Sequence, residues 1–124
     1  MTKGKITVID DDEDLRNLLQ IALRLEGFEV NGFANGDEFM KVVESSAPSD
    51  LYVIDINLGG ITGFEICRRL KSNAHTKFGY VILISANPEV QQLSQDVSAD
   101  DYMLKPFSQR ELMKKIGALL QIGG

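Results

Sequence analysis

The residues best suited to chemistry stand where apolar runs stop. Leu51-Tyr52-Val53-Ile54 is a short, continuous apolar run closed by Asp55. Its length and β-branched content suit a strand buried on both faces, as in a parallel sheet. Lys5 to Ile9 reads the same way and ends in Asp10-Asp11-Asp12; Tyr80 to Ile84 ends at Ser85, and Asp101 to Leu104 ends at Lys105. Asp10, Asp11, Asp55, Ser85 and Lys105 therefore gather at the carboxyl ends of strands, the edge where open α/β sheets bind ligands. Packed carboxylates repel one another without a cation, so the set implies a hard divalent ion. A few protein oxygens, completed by water and phosphate oxygens, suit Mg²⁺; a Ca²⁺ cage needs more oxygens than the chain offers there.

Taken singly, each residue has a plainer explanation. Asp12 is a helix N-cap, Asp10 or Asp11 a helix-entry carboxylate, Ser85 a strand-end serine, and Lys105 a surface lysine before Pro106. An isolated Asp55 would be solvated rather than nucleophilic. The functional reading rests on all five falling at one end of one sheet.

The elements that must position them follow from periodicity. After the first strand, Leu15, Leu18, Leu19, Ala22 and Leu25 repeat at helical spacing. Asp12 suits the N-cap and Gly27 the terminator. Phe28 to Phe33 reads as the second strand, and Gly36 to Ser46 as a helix with Phe39, Met40 and Val43 inward. Gly63 to Ser72 is a third helix with Ile66, Cys67 and Leu70 on its stripe. Pro88 to Val97 is a weaker one carrying only Val90, Leu93 and Val97, with Pro88 at a favoured first position. Ser108 and Glu111 form a capping box for the last helix, whose face is Leu112, Ile116, Leu119 and Leu120; Gly123-Gly124 ends the chain. Five strands alternating with five helices make a doubly wound α/β domain with right-handed crossovers. The natural architecture is a flavodoxin-like (βα)5 domain with a parallel sheet of order 2-1-3-4-5, one domain over residues 1–124.

Composition narrows the function classes. With 44% hydrophobic and 25% charged residues in 124, the chain reads as one ordinary globular domain. A net charge of −5 argues against direct nucleic-acid binding. No apolar run is long enough to span a bilayer, and no signal core follows the basic N-terminus, so the cytoplasm is the expected compartment. Cys67, the single cysteine, is expected to be a small buried hydrophobe, and His75 a solvated loop residue; the want of a second histidine or a cysteine cluster argues against a zinc site.

Ile9-Asp10-Asp11-Asp12, Asp55-Ile56-Asn57 with Gly63, Ile84-Ser85-Ala86, Ala99-Asp100-Asp101-Tyr102 and Lys105-Pro106-Phe107 together resemble the receiver domain of two-component response regulators, from Ile6 to about Leu120. The resemblance implies a phosphorylation-activated switch rather than an enzyme with a separate substrate. Asp55 would be the phosphoacceptor, taking its phosphoryl group from a sensor histidine kinase or a histidine phosphotransfer protein. Asp10 and Asp11 would hold Mg²⁺, Asp11 directly, with Asp55 and the main-chain carbonyl of Asn57 completing the protein ligands. Ser85 and Lys105 would contact the phosphoryl oxygens. Ser85 and Tyr102 would be the switch pair, and the Lys105–Pro106 bond would be cis. The reporting surface would be helix four, strand five and helix five, read by a downstream effector protein or output domain, with the chain a monomer or weak dimer.

The chain departs from that pattern in three places. The loop Leu58-Gly59-Gly60-Ile61-Thr62-Gly63 lacks the usual proline and aspartate and should be more mobile. Ser85 replaces the commoner threonine, and the segment from Ser85 to Lys105 is short. Three competing readings follow. A Mg²⁺-dependent phosphatase with an aspartyl nucleophile needs an acid two residues past the nucleophile, where this chain has Asn57. A flavin or nucleotide domain needs a phosphate loop after the first strand, where this chain has three aspartates. A pseudo-receiver, a pure interaction module, has no need of the acidic pair, acceptor and lysine that stand here.

Overall fold

Five strands form, of which the three central ones are apolar runs buried from both sides. The five are β1 (Lys5–Ile9), β2 (Glu29–Phe33), β3 (Leu51–Asp55), β4 (Tyr80–Ser85) and β5 (Asp101–Leu104). They alternate with α1 (Glu13–Leu25), α2 (Gly36–Val42), α3 (Gly63–Ser72), α4 (Val90–Asp96) and α5 (Gln109–Leu120) in the computed structural model, which describes residues 2–122. All pairings are parallel and the order is β2-β1-β3-β4-β5, as expected. The expectation for Gly123-Gly124 lies outside the described residues.

Side-chain alternation divides the core in two. Leu51 and Val53 of β3 and Ile82 and Ile84 of β4 pack with Leu19 and Leu23 of α1 and Leu112 and Ile116 of α5. Tyr52, Ile54, Val81 and Leu83 point the other way, onto Phe39, Ile66, Leu70, Val90 and Val97. Buried apolar area of this kind stabilises by about 25 cal/mol per Å². Both layers grip the same two central strands, so those strands hold their ends in fixed register.

Three helices differ from the sequence expectation, each for a physical reason. In α1 the buried face is Leu19, Ala22 and Leu23, while Leu18 and Leu25 are 54% and 83% exposed. The helix carries two neighbouring apolar stripes, and only one meets the sheet. In α2 the helix stops at Val42 rather than Ser46. Ser45 donates its hydroxyl to the Val42 carbonyl, a local bond that competes with helix continuation, and Pro48 disfavours helix at the residue before it. In α4 the helix starts at Val90 rather than Pro88, because Asn87 forms a turn that captures the Glu89 and Val90 amides. Its buried side chains are Val90 and Ser94, with Leu93 only half-buried.

The caps follow the residue chemistry. Asp12, Asn35, Thr62 and Ser108 each accept an amide proton of their helix's first turn. Gly27 leaves α1 with φ +103°, the left-handed region glycine tolerates. Gln121, at φ 56°, does the same for α5.

Candidate functional site

Strand register assembles the site. Ile9 stands opposite Ile54, Asp55 opposite Ile84, and Ser85 opposite Leu104. The residues that end the four runs thus lie along one edge of β1, β3, β4 and β5. Alternation then sorts them by face. Asp10, Asp55 and Lys105 each lie two residues beyond a side chain of the layer under α1 and α5, namely Val8, Val53 and Met103. Ser85 and Tyr102 belong to the opposite face, where Tyr102 packs against the layer that holds Val90 and Val97 of α4.

The first group meets in space. The Lys105 ammonium donates to Asp55 Oδ2 across 2.8 Å and lies 3.2 Å from Asp10 Oδ2. One carboxylate oxygen from each of Asp10, Asp11 and Asp55 falls within 4.8 Å of the other two. Asp10 is fully buried, Asp55 nearly so, and Asp11 opens to solvent. The second oxygens are already engaged: Asp55 Oδ1 accepts the Asn57 amide at 2.9 Å, and Asp10 Oδ1 accepts the Asp12 amide at 2.9 Å. Asp10 Oδ2, by contrast, is buried with no hydrogen-bond partner; its approach to Lys105 is an ion-pair contact without hydrogen-bond alignment.

Burial holds the Asp10 carboxyl above the usual carboxylate range, and the charge of Asp55 adds to the rise, against the opposing pull of the Asp12 amide and Lys105. For Lys105 burial favours the neutral amine, but the bond to Asp55 and the charges of Asp10 and Asp55 outweigh it and move the group further up. A buried carboxylate oxygen without a hydrogen-bond partner, set among converging acids, is relieved by a proton or by a hard cation. The donor set fits Mg²⁺.

Glycine is required beside Asp55. A Cβ on Gly63, the first residue of α3, would collide with the Asp55 carbonyl oxygen and the Ile56 backbone, while the Gly63 amide donates to the Ile56 carbonyl at 3.1 Å. The close approach draws the loop after β3 tightly under the acid. Leu58 of this loop is buried, so it is anchored at that point despite its glycines.

Ser85 is buried, and its hydroxyl oxygen accepts the Asn87 amide at 3.0 Å and the Asn57 side-chain amide at 3.4 Å. Its own proton has no acceptor among the described residues. Tyr102 is half-buried on β5, with the Lys115 ammonium 5.1 Å from the centre of its ring. It does not touch the acidic cluster; it shares a face with Ser85. The Lys105–Pro106 bond is cis, as expected. Two groups could not be picked out by residue type: the side-chain amide of Asn57, and Arg16, whose guanidinium donates to the Asp10 carbonyl at 2.8 Å. The signal for Arg16 was its position, four residues past the Asp12 cap and so one helical turn above the acidic loop.

Residues 6–117 match the family model described as the response regulator receiver domain. The chain belongs to that family. This receiver domain is 39% identical over 119 residues to the phosphate regulon transcriptional regulatory protein PhoB of Rhizobium meliloti, covering 94% of this chain and 52% of the relative. It is 36% identical over 118 residues to the alkaline phosphatase synthesis transcriptional regulatory protein PhoP of Bacillus subtilis, covering 94% and 48%. The chain thus spans about half the length of the curated relatives it matches. Among solved structures it resembles the BeF3-activated DrrB receiver domain, with a TM-score of 0.85 and 29% identity over 98% of this chain and 99% of that one. It also resembles response regulator TrrA from Thermotoga maritima in complex with Mg(2+)-BeF, with a TM-score of 0.82 and 32% identity over 96% and 99%. The receiver domain is thus a signalling module of two-component response regulators. A phosphatase of the aspartyl class would need a proton donor at position 57 for its leaving group; the amide of Asn57 in this receiver domain is directed at Ser85 instead. Among the described residues no helix is long and apolar enough to cross a membrane.

Proposed function

We propose that residues 1–124 act as a phosphorylation switch in which Asp55 accepts a phosphoryl group from a phosphohistidine of a sensor kinase or phosphotransfer protein. The observation that carries the reading is the convergence of three carboxylates within 4.8 Å, one of them with a buried oxygen, Asp10 Oδ2, that has no hydrogen-bond partner, and with Lys105 bridging two of them. Asp10, Asp11 and Asp55, with the main-chain carbonyl of Asn57, are the residues that would hold Mg²⁺. The ion supplies charge neutralisation for the phosphoryl oxygens when bound.

The chain's own residues account for the rest of the chemistry. The Asn57 amide fixes Asp55 Oδ1, so Oδ2 is the atom presented to phosphorus. As Oδ2 attacks in line, a new O–P bond forms, the N–P bond of the phosphohistidine breaks, and its electron pair stays on the imidazole nitrogen. Lys105, already beside Oδ2, shifts its ammonium to a phosphoryl oxygen, and Ser85 directs its uncommitted proton to another. The product is an acyl phosphate on the domain itself, so the chain is a switch rather than an enzyme turning over a separate substrate. Its output surface is α4, β5 and α5, and its reader is an effector protein or output domain. TrrA, the relative in complex with Mg(2+)-BeF, supports the same pairing of cation and phosphoryl mimic. The cytoplasm is the proposed compartment, where the lone buried thiol of Cys67 stays reduced.

Acetyl phosphate with Mg²⁺ tests the assignment. Intact mass should show one base-labile phosphoryl group on the wild type and none on Asp55→Asn. The chain has no tryptophan, so mass rather than tryptophan fluorescence is the readout. Equal labelling of Asp55→Asn would remove Asp55 from the role.

A further inference from the structure

Asp10 has four polar groups, and three are committed. Its amide donates to the Phe33 carbonyl of β2 at 3.1 Å. Its Oδ1 accepts the Asp12 amide at 2.9 Å, and its carbonyl accepts Arg16 Nη1 at 2.8 Å. Only Oδ2 is without a hydrogen bond, and it is the atom that faces Asp55 and Lys105. The residue is therefore held so that one oxygen alone remains for a ligand.

Of the three fixed contacts, two are made with backbone groups that the fold positions in any case, the Phe33 carbonyl and the Asp12 amide. The third comes from a side chain. Arg16 lies in the second turn of α1, its amide bonded to the Asp12 carbonyl at 2.9 Å. Its half-buried side chain runs back toward the start of the helix, the direction helical side chains favour, and reaches past the first turn to the end of β1. The Asp10 carbonyl is part of the Asp10–Asp11 peptide plane. Fixing that plane fixes where the Asp11 side chain departs from the backbone. Arg16 has no carboxylate ion-pair partner among the described residues, so its guanidinium is not explained by a surface salt bridge.

We propose that Arg16 is a positioning residue for the acidic cluster: by holding the Asp10 carbonyl it orients the Asp10–Asp11 peptide so that both carboxylates can bind one divalent cation. The inference rests on the metal reading given above. It also makes a prediction opposite in sign to simple electrostatics. An arginine near a cation site should weaken cation binding by repulsion, so its removal should tighten Mg²⁺. Loss of an outer support of a metal site should loosen it, about 10- to 100-fold in known cases.

The test uses unphosphorylated protein and Mg²⁺ alone. Arg16→Met removes the donor and the charge but keeps the apolar stem; Arg16→Gln removes the charge and places its amide two bonds short of the carbonyl. Calorimetric titration should show Mg²⁺ binding weakened about tenfold in whichever variant folds. Acetyl phosphate labelling should then need correspondingly more Mg²⁺ for half-maximal rate while the rate at saturating Mg²⁺ stays near wild type. A residue that merely stabilised α1 would lower the melting temperature and leave the Mg²⁺ constant unmoved. Unchanged or tighter Mg²⁺ binding in both variants overturns the proposal. Asp11→Asn is the control that separates the two readings. If it too leaves Mg²⁺ binding intact, the metal assignment itself fails; if it abolishes binding while the Arg16 variants do not, only the role of Arg16 fails.

Discussion

Lys105 Nζ lies 2.8 Å from Asp55 Oδ2 and bridges it to Asp10, so one ammonium offsets two buried acids when no cation is bound. Its removal leaves both carboxylates uncompensated. Breaking a fully buried pair costs about 3–5 kcal/mol. The Lys105 side chain is 24% exposed, so the expected loss for Lys105→Met in EDTA is smaller, about 2 kcal/mol. Because the Lys105 pKa is raised, this stabilisation is complete at neutral pH and fades only as pH climbs through the raised value, above the usual lysine range. Denaturant titration of wild type and variant at neutral pH measures it. Saturating Mg²⁺ should shrink the difference, since the ion supplies the missing positive charge. A difference equally large with and without Mg²⁺ would mean that Lys105 and the metal do not share a role.

Mg²⁺ should stabilise the folded chain by mass action, because only the folded state gathers the three acids. At a hundredfold excess over its dissociation constant the gain is about 2.7 kcal/mol. Asp11→Asn takes away the solvent-facing member of the set and should abolish the response. It also removes one negative charge from a repelling group, so its melting point in EDTA should equal or exceed that of wild type. Thermal scans across a Mg²⁺ series read both effects. An undiminished Mg²⁺ response in Asp11→Asn would place the ion elsewhere.

The pH dependence of Asp10 has a definite sign. Its folded pKa is raised, first by burial and then by Asp55. Between the ordinary aspartate value and the raised one, the native state binds more protons than the unfolded chain. Stability therefore falls as pH rises through that window, and above it the ionised group is a standing cost. Asp10→Asn keeps an oxygen for the Asp12 amide and removes the charge. In EDTA it should be more stable than wild type at neutral pH, with the gain declining as pH is lowered through the window. A pH-independent difference between the two proteins would mean that the folded state does not shift the titration of Asp10.

Much of this site could be read from sequence because strand ends are easy to locate. A run buried on both faces announces its own length, so Asp10, Asp55, Ser85 and Lys105 were each placed within one residue of their run's last rung. Repulsion among the acids was also legible, although burial proves the larger cause for Asp10. Helix faces were harder. Leu18 and Leu25 keep the same spacing as Leu15, Leu19 and Ala22, and periodicity cannot tell which of two adjacent stripes meets the sheet. Short helices were hardest, since α2 ends at a local serine bond and α4 begins at a local asparagine turn. The Arg16 contact was missed for another reason: a bond from a side chain to a carbonyl carries no pattern in residue type, and only its place one turn into α1 pointed to it.

The last prediction concerns how the state of Asp55 reaches the surface. Ser85 and Tyr102 lie on the face of the sheet that α4 covers, and the Ser85 proton has no acceptor among the described residues. A phosphoryl group on Asp55 offers one, as a charge-assisted bond. Drawing Ser85 toward it opens room behind β4 into which Tyr102 can turn, at the expense of its contact with Lys115. Helix α4 is built to yield: it has seven residues, no side-chain cap, and a buried Ser94 hydroxyl without a hydrogen-bond partner. Ser85→Ala should still take phosphoryl on Asp55, while the amide signals of α4 and Tyr102 move clearly less than in wild type. If they move as far, Ser85 is not the coupling residue. The same face should not yield a tight homodimer, because Lys115, Asp100 and Asp101 are already paired within the chain and α4 offers no base. Lys115 pairs with Asp101 at 2.8 Å, Asp100 pairs with Lys71 at 2.6 Å, and α4 offers Gln91, Gln92 and Gln95 with no base. Sedimentation with beryllofluoride and Mg²⁺ should therefore find a monomer or a weak dimer, leaving the face to a protein reader. A strong activated dimer that Lys115→Glu abolishes would show instead that the Lys115–Asp101 pair opens and re-forms between two copies.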